Sequence, residues 1–288
     1  MVNASIARNS TPLPRDRFVK VTELLFAKSW LQTRHSAVEE LGFTCVSDES
    51  FDLAVDLLTR FHFFSLQDAQ SQISALAINS VAQLGLTPAN AIFVCLSDPK
   101  RVNSSQTVLN WIKNSLAGVD DWDKSHFHTS VGEAAYDLQE GETLVFADDF
   151  VGTGHTLEEK SKYVRKVLAA RGIANYRFCL LALAVMQAAT GPIQQCVGTH
   201  QVIGHMLQRG ITDHYTGSSL VQATQAMKDA ELMLSPKYRG KTWESFGYKA
   251  SETLYAIDAT STPDNVFPLF WWRQLANGSS RQTVLVRA

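Results

Sequence analysis

The run Leu144-Val145-Phe146-Ala147-Asp148-Asp149-Phe150-Val151-Gly152-Thr153-Gly154-His155-Thr156 constrains the fold of this chain more than any other segment. Its opening apolar residues, with Thr143 before them, predict a strand over 143–147 that is buried on both faces. Such strands belong to parallel sheets covered by helices. The strand ends in two acids. Gly152 and Gly154 then mark a bend, and Thr156 to Ala170 reads as a helix with Gly172 as its C-cap. Strand, bend and helix in that order place the bend at the carboxyl edge of the sheet, where open α/β sheets bind ligands.

The neighbouring pattern fits that reading. Ala91 to Leu96 is a second buried apolar run, introduced by the turn residues Thr87-Pro88-Ala89-Asn90. Ser104 to Leu116 reads as a helix, Val119 to Ser130 as a long polar loop, Tyr176 to Met186 as a strand and His200 to Ile203 as a further one. Strands alternating with helices predict an α/β fold with a central parallel sheet flanked by helices. Ahead of it, residues 1–15 read as a loose tail. Phe18 to Leu41 and Phe51 to Leu84 read as helix, the second interrupted near Phe63-Phe64-Ser65. Behind it, Ser218 to Leu234 reads as a helix, followed by an aromatic-rich segment with a strand near Thr253 to Ile257. The expected organisation is a helical region over 1–86, the α/β core over 87–216, and a C-terminal part over 217–288 that completes the same domain.

Composition narrows the function classes. The chain has 288 residues, 45% hydrophobic and 19% charged, with a formal net charge of -2. Bulk electrostatics therefore give no reason to expect non-specific nucleic-acid binding. Cys45, Cys95, Cys179 and Cys196 show no CxxC or metal-finger spacing, which points to free thiols and a reducing compartment. His200, His205 and His214 have no metal-ligand spacing either. The first residues lack the apolar run of a signal peptide, and no stretch approaches the roughly 18 apolar residues of a membrane span. A soluble, cytoplasmic protein with no membrane partner is expected.

The bend has a definite chemistry. Gly152 and Gly154 let the backbone approach a ligand closely, so that successive N–H groups form a nest for an anion. The following helix adds the positive end of its dipole, and Thr153 and Thr156 add hydroxyl donors. A phosphate suits that environment. Asp148 and Asp149 would repel it but suit vicinal hydroxyls, which donate to carboxylates. Phosphate and diol at this separation describe a ribose 5-phosphate. The plain alternative is a pair of solvated acids beside a glycine-rich turn. Ser97-Asp98-Pro99-Lys100-Arg101 follows the first strand, and its cations read either as anion contacts or as an exposed basic turn.

Leu144 to Leu157 resembles the phosphoribosyl-pyrophosphate-binding signature of type I phosphoribosyltransferases. Ser97-Asp98-Pro99, Phe246-Gly247-Tyr248, Thr262-Pro263-Asp264-Asn265 and Phe270-Trp271 resemble a phosphoribosyltransferase-like family of bacterial conflict systems, some members of which are predicted effectors beside retron reverse transcriptases. The resemblance implies a phosphoribosyltransferase-like core, an aromatic-rich C-terminal hood over the site, and phosphoribosyl pyrophosphate with Mg²⁺. Carried over, Asp148 and Asp149 hold the ribose hydroxyls and stabilise an oxocarbenium-like state. Gly152, Thr153, Gly154, His155 and Thr156 hold the 5-phosphate, and Phe150 and Val151 count among the substrate-binding residues. Ser97, Asp98, Lys100 and Arg101 stand where the family has its pyrophosphate loop, without the small residues usual in salvage enzymes.

Lys124, His126 and His128 read as a flap or, more simply, a surface loop. Trp271 and Trp272 read as base-stacking or, more simply, core residues. The implied activity is transfer or release of a phosphoribosyl group, as a toxic effector in an anti-phage, retron-type system. The implied partners are a reverse transcriptase with its RNA/DNA and a helix-turn-helix protein, and a homo-oligomer is compatible with this. A non-catalytic nucleotide sensor and a structural subunit of a nucleoprotein complex are the alternatives.

Overall fold

The computed structural model describes residues 12–96 and 104–287. The chain opens with helices α1 (Arg15–Ala27), α2 (His35–Thr44) and α3 (Asp48–Thr59). Ser47 starts α3 by accepting the Ser50 amide at 3.1 Å, the side-chain cap that an isolated first turn lacks. Strand β1 (His62–Phe64) leads into α4 (Leu66–Leu84), which Ser65 caps by accepting the Asp68 amide at 3.0 Å and Gly85 closes at φ 62°. The core then runs β2 (Ala91–Cys95), α5 (Ser104–Leu116), β3 (Phe127–His128), α6 (Val131–Asp137), β4 (Thr143–Val151), α7 (His155–Ala170), β5 (Arg177–Met186), α8 (Thr190–Val197) and β6 (Gln201–Leu207). The chain ends with α9 (Gly217–Leu232), a hairpin of β7 (Lys237–Tyr238) and β8 (Lys241–Thr242), and β9 (Tyr255–Ile257).

The central sheet has the order β3-β2-β4-β5-β6 and every pairing in it is parallel. This is the expected α/β architecture. Helices α4 and α5 cover one face through Ala69, Ile73, Val108 and Ile112, packed on Val145, Ala147 and Leu181. Helices α6, α7 and α8 cover the other through Ala134, Leu157, Val164 and Ile193, packed on Phe146, Leu180 and Ala182. The alternation of Val145/Ala147 with Leu144/Phe146 between the two layers is why β4 is apolar at every one of these positions.

The third core lies outside the sheet. Leu24, Leu41 and Leu57 from α1–α3 pack with Met227 of α9 and with Phe267, Phe270, Trp271 and Trp272 from the C-terminal segment. The segmentation drawn from sequence therefore divides differently in space. Of the helices before residue 87, α1–α3 join the C-terminal segment, whereas α4 belongs to the sheet. Strand β1 ties the halves together by pairing in parallel with β9, His62 opposite Tyr255.

Several boundaries depart from the sequence reading. The long first helix stops at Ala27, and a 3-10 stretch follows (Ser29–Arg34) in which Trp30 stacks on Phe63 with ring centroids 4.3 Å apart. The expected loop over 119–130 contains the edge strand β3, held by Phe127 stacking on Phe93 at 5.4 Å. Strand β4 continues past Ala147 through both acids to Val151, and helix α7 starts at His155 rather than Thr156.

Candidate functional site

The extra length of β4 creates the site. Strand β2 pairs with β4 only from Thr143 to Ala147, while β5 accompanies it on to Val151. Asp148 and Asp149 thus stand beyond the carboxyl end of β2, where β5 is the strand paired with β4 among the described residues. A cavity of about 360 Å³ forms there. Leu96 and Asp148 line it from the sheet, residues 152–156 from the bend, and Tyr248, Asp264 and Asn265 from the C-terminal segment.

The bend has the shape its sequence requires. Gly154 is the N-cap of α7 with φ 77°, the left-handed region that favours glycine, and a Cβ there would stand 2.9 Å from Cβ of Pro192. At Gly152 the constraint is different. A Cβ would meet the buried Asn265 side chain at 2.5 Å, so the C-terminal segment seats directly on the bend. Thr153 is partly exposed, His155 and Thr156 are exposed, and all three line the cavity. The α7 N-terminus thus faces a polar hollow with its free amides and dipole.

The structure treats the two acids unequally. Asp148 is partly buried and faces the cavity; its Oδ1 accepts from Ser105 Oγ at 2.7 Å and from the Asp149 amide at 3.0 Å. Asp149 is only 5% exposed and does not line the cavity. Its backbone carbonyl accepts from Tyr255 Oη at 3.2 Å, and Phe150 stacks on the Tyr255 ring at 4.9 Å. Of the two acids expected to hold ribose hydroxyls, Asp148 lines the cavity and Asp149 lies buried beneath it. Burial, then the charge of Asp149, pushes Asp148 well above the ordinary carboxylate value of 3.8. Burial raises Asp149 as well. Two carboxyls this close do not both ionise readily, and the pair retains a proton where an isolated acid would lose it.

Of the sequence-derived site residues, the structure brings together Asp148, Phe150, Val151, Gly152, Thr153, Gly154, His155 and Thr156 around one cavity. Ser97, Asp98, Lys100 and Arg101 lie outside the described residues. Lys124, His126 and His128 are held away from the cavity: Asp123 accepts the Ser125 amide at 2.8 Å, and His128 is in edge strand β3. Trp271 and Trp272 are 7% and 4% exposed and belong to the third core, the plainer of their two readings. Ser105 and Tyr255, which hold the acids, were not visible from sequence. No local pattern marks a serine in the first turn of α5 or a tyrosine in a three-residue strand as neighbours of Asp148 and Asp149. All four cysteines are buried and none is in a disulfide among the described residues. Among the described residues no helix is long and apolar enough to cross a membrane.

Comparison with solved structures finds the hypoxanthine-guanine phosphoribosyltransferase of Schistosoma mansoni, solved in complex with IMP, at 8% identity and a TM-score of 0.32, covering 49% of this chain and 66% of that one. The protein TT1426 from Thermus thermophilus matches at 12% identity and a TM-score of 0.28, covering 54% of this chain and 88% of that one. This chain thus spans just under two thirds of the schistosomal enzyme. No curated protein matches the chain. The family model PRTase-CE matches residues 28–279, a span that takes in all of the central sheet, the bend and the segment seated on it. The chain belongs to the PRTase-CE family, and its fold is that of a phosphoribosyltransferase-like protein.

Proposed function

We propose that the cavity binds phosphoribosyl pyrophosphate, or a closely related ribose 5-phosphate, and that the protein transfers or releases the phosphoribosyl group. The observation that carries this reading is that a glycine-rich bend at a helix N-terminus and the carboxyl of Asp148 line one hollow of about 360 Å³. The bend and the α7 N-terminus suit the 5-phosphate. Asp148 suits the ribose hydroxyls, and Asp149 lies beneath it within the same acid pair. In the transfer, the bond from C1′ to the pyrophosphate oxygen breaks and the leaving group takes its electron pair. An acceptor nucleophile forms the new bond to C1′ and releases its proton to water. The negative charge shared by the acid pair stabilises the positive ribosyl carbon between those events.

Mg²⁺ fits these residues in a limited sense. Among the described residues no cluster of three or more acids, histidines or cysteines would hold a metal alone. Mg²⁺ in phosphate-transfer sites is commonly held by one or two carboxylates together with substrate oxygens, and Asp148 is the carboxyl that faces the cavity. When bound, the ion would neutralise the charge of the leaving pyrophosphate.

Isothermal titration with phosphoribosyl pyrophosphate and Mg²⁺ tests the site. Saturable binding is expected, lost in Asp148→Asn and in Gly152→Ala. Wild-type protein that binds no ribose phosphate would falsify the reading. The wider proposal, a toxic effector of an anti-phage system, rests on the family resemblance. It predicts that expression slows bacterial growth and that Asp148→Asn and Asp149→Asn relieve the effect. Full toxicity in both variants would point to a non-catalytic role.

A further inference from the structure

A second hollow, of about 810 Å³, adjoins the first, and Tyr248 and Asp264 belong to the walls of both. Its chemistry is different. Arg239, Lys241, Arg273 and Arg287 line it against only two carboxylates, Glu244 and Asp264. Both carboxylates are already engaged. Asp264 pairs with Arg287 at 3.2 Å, and Glu244 accepts the Lys249 amide at 2.9 Å. Arg239, Lys241 and Arg273 are exposed and have no carboxylate partner within salt-bridge distance among the described residues. The chain as a whole carries a net charge of -2, so this concentration of cations does not reflect a basic protein.

The same walls are aromatic. Tyr238, Trp243 and Tyr248 are partly buried along the hollow, with Trp271 and Trp272 beneath them. Arginines already pack on two of these rings: Arg239 lies 5.1 Å from the Tyr238 centroid and Arg287 lies 5.2 Å from that of Trp271. The hairpin that presents Arg239 and Lys241 is also built against local preference. Its two loop residues, Arg239 at φ 50° and Gly240 at φ 79°, both take left-handed backbone. Turns of that kind favour Asn-Gly, and a long cationic side chain at the first position is a poor conformational choice. Trp243 Nε1 pins the hairpin by donating to the Ser235 carbonyl at 2.8 Å. Such strain is kept where the side chain is needed.

We propose that this groove holds the acceptor of the transfer, and that the acceptor is a nucleotide unit whose base lies on the aromatic wall and whose phosphate meets Arg239, Lys241 and Arg273. A free base is neutral and would use none of these cations. A nucleotide uses the rings and the charges together. The inference rests on the phosphoribosyl reading of the adjoining cavity. The same chemistry is offered by a free nucleotide and by the end of a single-stranded nucleic acid.

The experiment measures affinity for fluorescently labelled single-stranded DNA and RNA, for unlabelled mononucleotides as competitors, and for phosphoribosyl pyrophosphate with Mg²⁺. It compares the wild type with Arg239→Glu/Arg273→Glu and with Tyr238→Ala. The wild type should bind the strands or the mononucleotides, and the charge reversals should weaken that binding by about tenfold or more and flatten its salt dependence. Affinity for phosphoribosyl pyrophosphate and the melting temperature should stay the same. Displacement of the strands by mononucleotides identifies the free nucleotide as sufficient; its absence identifies the strand. No nucleotide or strand binding in the wild type, equal binding in the reversed variant, or equal binding of a polyglutamate peptide overturns the proposal. If strand binding depends on Arg239 and Arg273 but phosphoribosyl pyrophosphate does not bind, the groove stands and the reading of the neighbouring cavity falls.

Discussion

Asp148 carries a cost that the rest of the molecule absorbs. It is partly buried beside a second acid and its pKa is raised, so ionising it disfavours the folded chain. Asp148→Asn keeps an oxygen for Ser105 Oγ and for the Asp149 amide while removing the charge conflict. The substituted protein should therefore lose ribose-phosphate binding yet melt about 3 °C higher at neutral pH. The sign follows from linkage. A raised carboxyl binds its proton more tightly when folded, so the penalty is absent below the ordinary value of 3.8 and grows as pH rises toward the raised one. Melting curves of the two proteins should converge as pH falls toward about 4. Gly152→Ala tests the bend and its contact with the C-terminal segment. Its Cβ would stand 2.5 Å from Asn265 Nδ2, and the displacement should cost about 1–3 kcal/mol in denaturant unfolding. At this scale the sequence was informative where the chemistry is local. Asp148, Gly152, Gly154 and Thr156 lie within one strand-bend-helix unit. Ser105, Tyr255 and Asn265 reach the same place only through tertiary packing, and nothing adjacent to them in the chain reports it.

The elements show the same division. Buried strands β2, β4 and β5 stand out because their apolar runs exceed what a solvated loop tolerates, and β9 falls within the strand expected near Thr253 to Ile257, whereas β1 and β3 are too short to carry a period of their own. The turn after α9 illustrates an element fixed by one distant side chain. Glu231, only 2% exposed, accepts from Ser245 Oγ and from the Phe246 amide at 3.1 Å. It thereby holds a turn in which Phe246 and Gly247 sit at φ 62° and 79°, just before Tyr248. Burial raises its carboxyl to about 7. The protonated form is the one the fold prefers, so its contribution is complete below the ordinary value of 4.5 and is lost as pH rises to about 7. Glu231→Gln stays neutral throughout. Relative to it, the wild type should lose melting temperature between those two pH values, a difference that a pH series of thermal melts would reveal.

Across the whole molecule, the two ends of the chain build one core. Helices α1–α3 supply Leu24, Leu41 and Leu57, and the far end supplies Phe267, Phe270 and Trp272. The sequence reading recognised a helical opening and an aromatic ending but had no means of joining them, because neither half has enough apolar surface to declare its partner. A chain beginning at residue 61 should therefore lose the cooperative unfolding transition of its C-terminal segment, and with it the proposed ribose-phosphate site, while the sheet remains. Circular dichroism melts and titration of the truncated protein would show this; a single sharp transition with intact binding would contradict the shared core. That far end also supplies Asn265, which rests on Gly152. The proposed sugar-phosphate site and the proposed acceptor groove consequently answer to a single segment. A macromolecule docking on the C-terminal surface would act on the proposed transfer without touching Asp148, by lifting or pressing one asparagine.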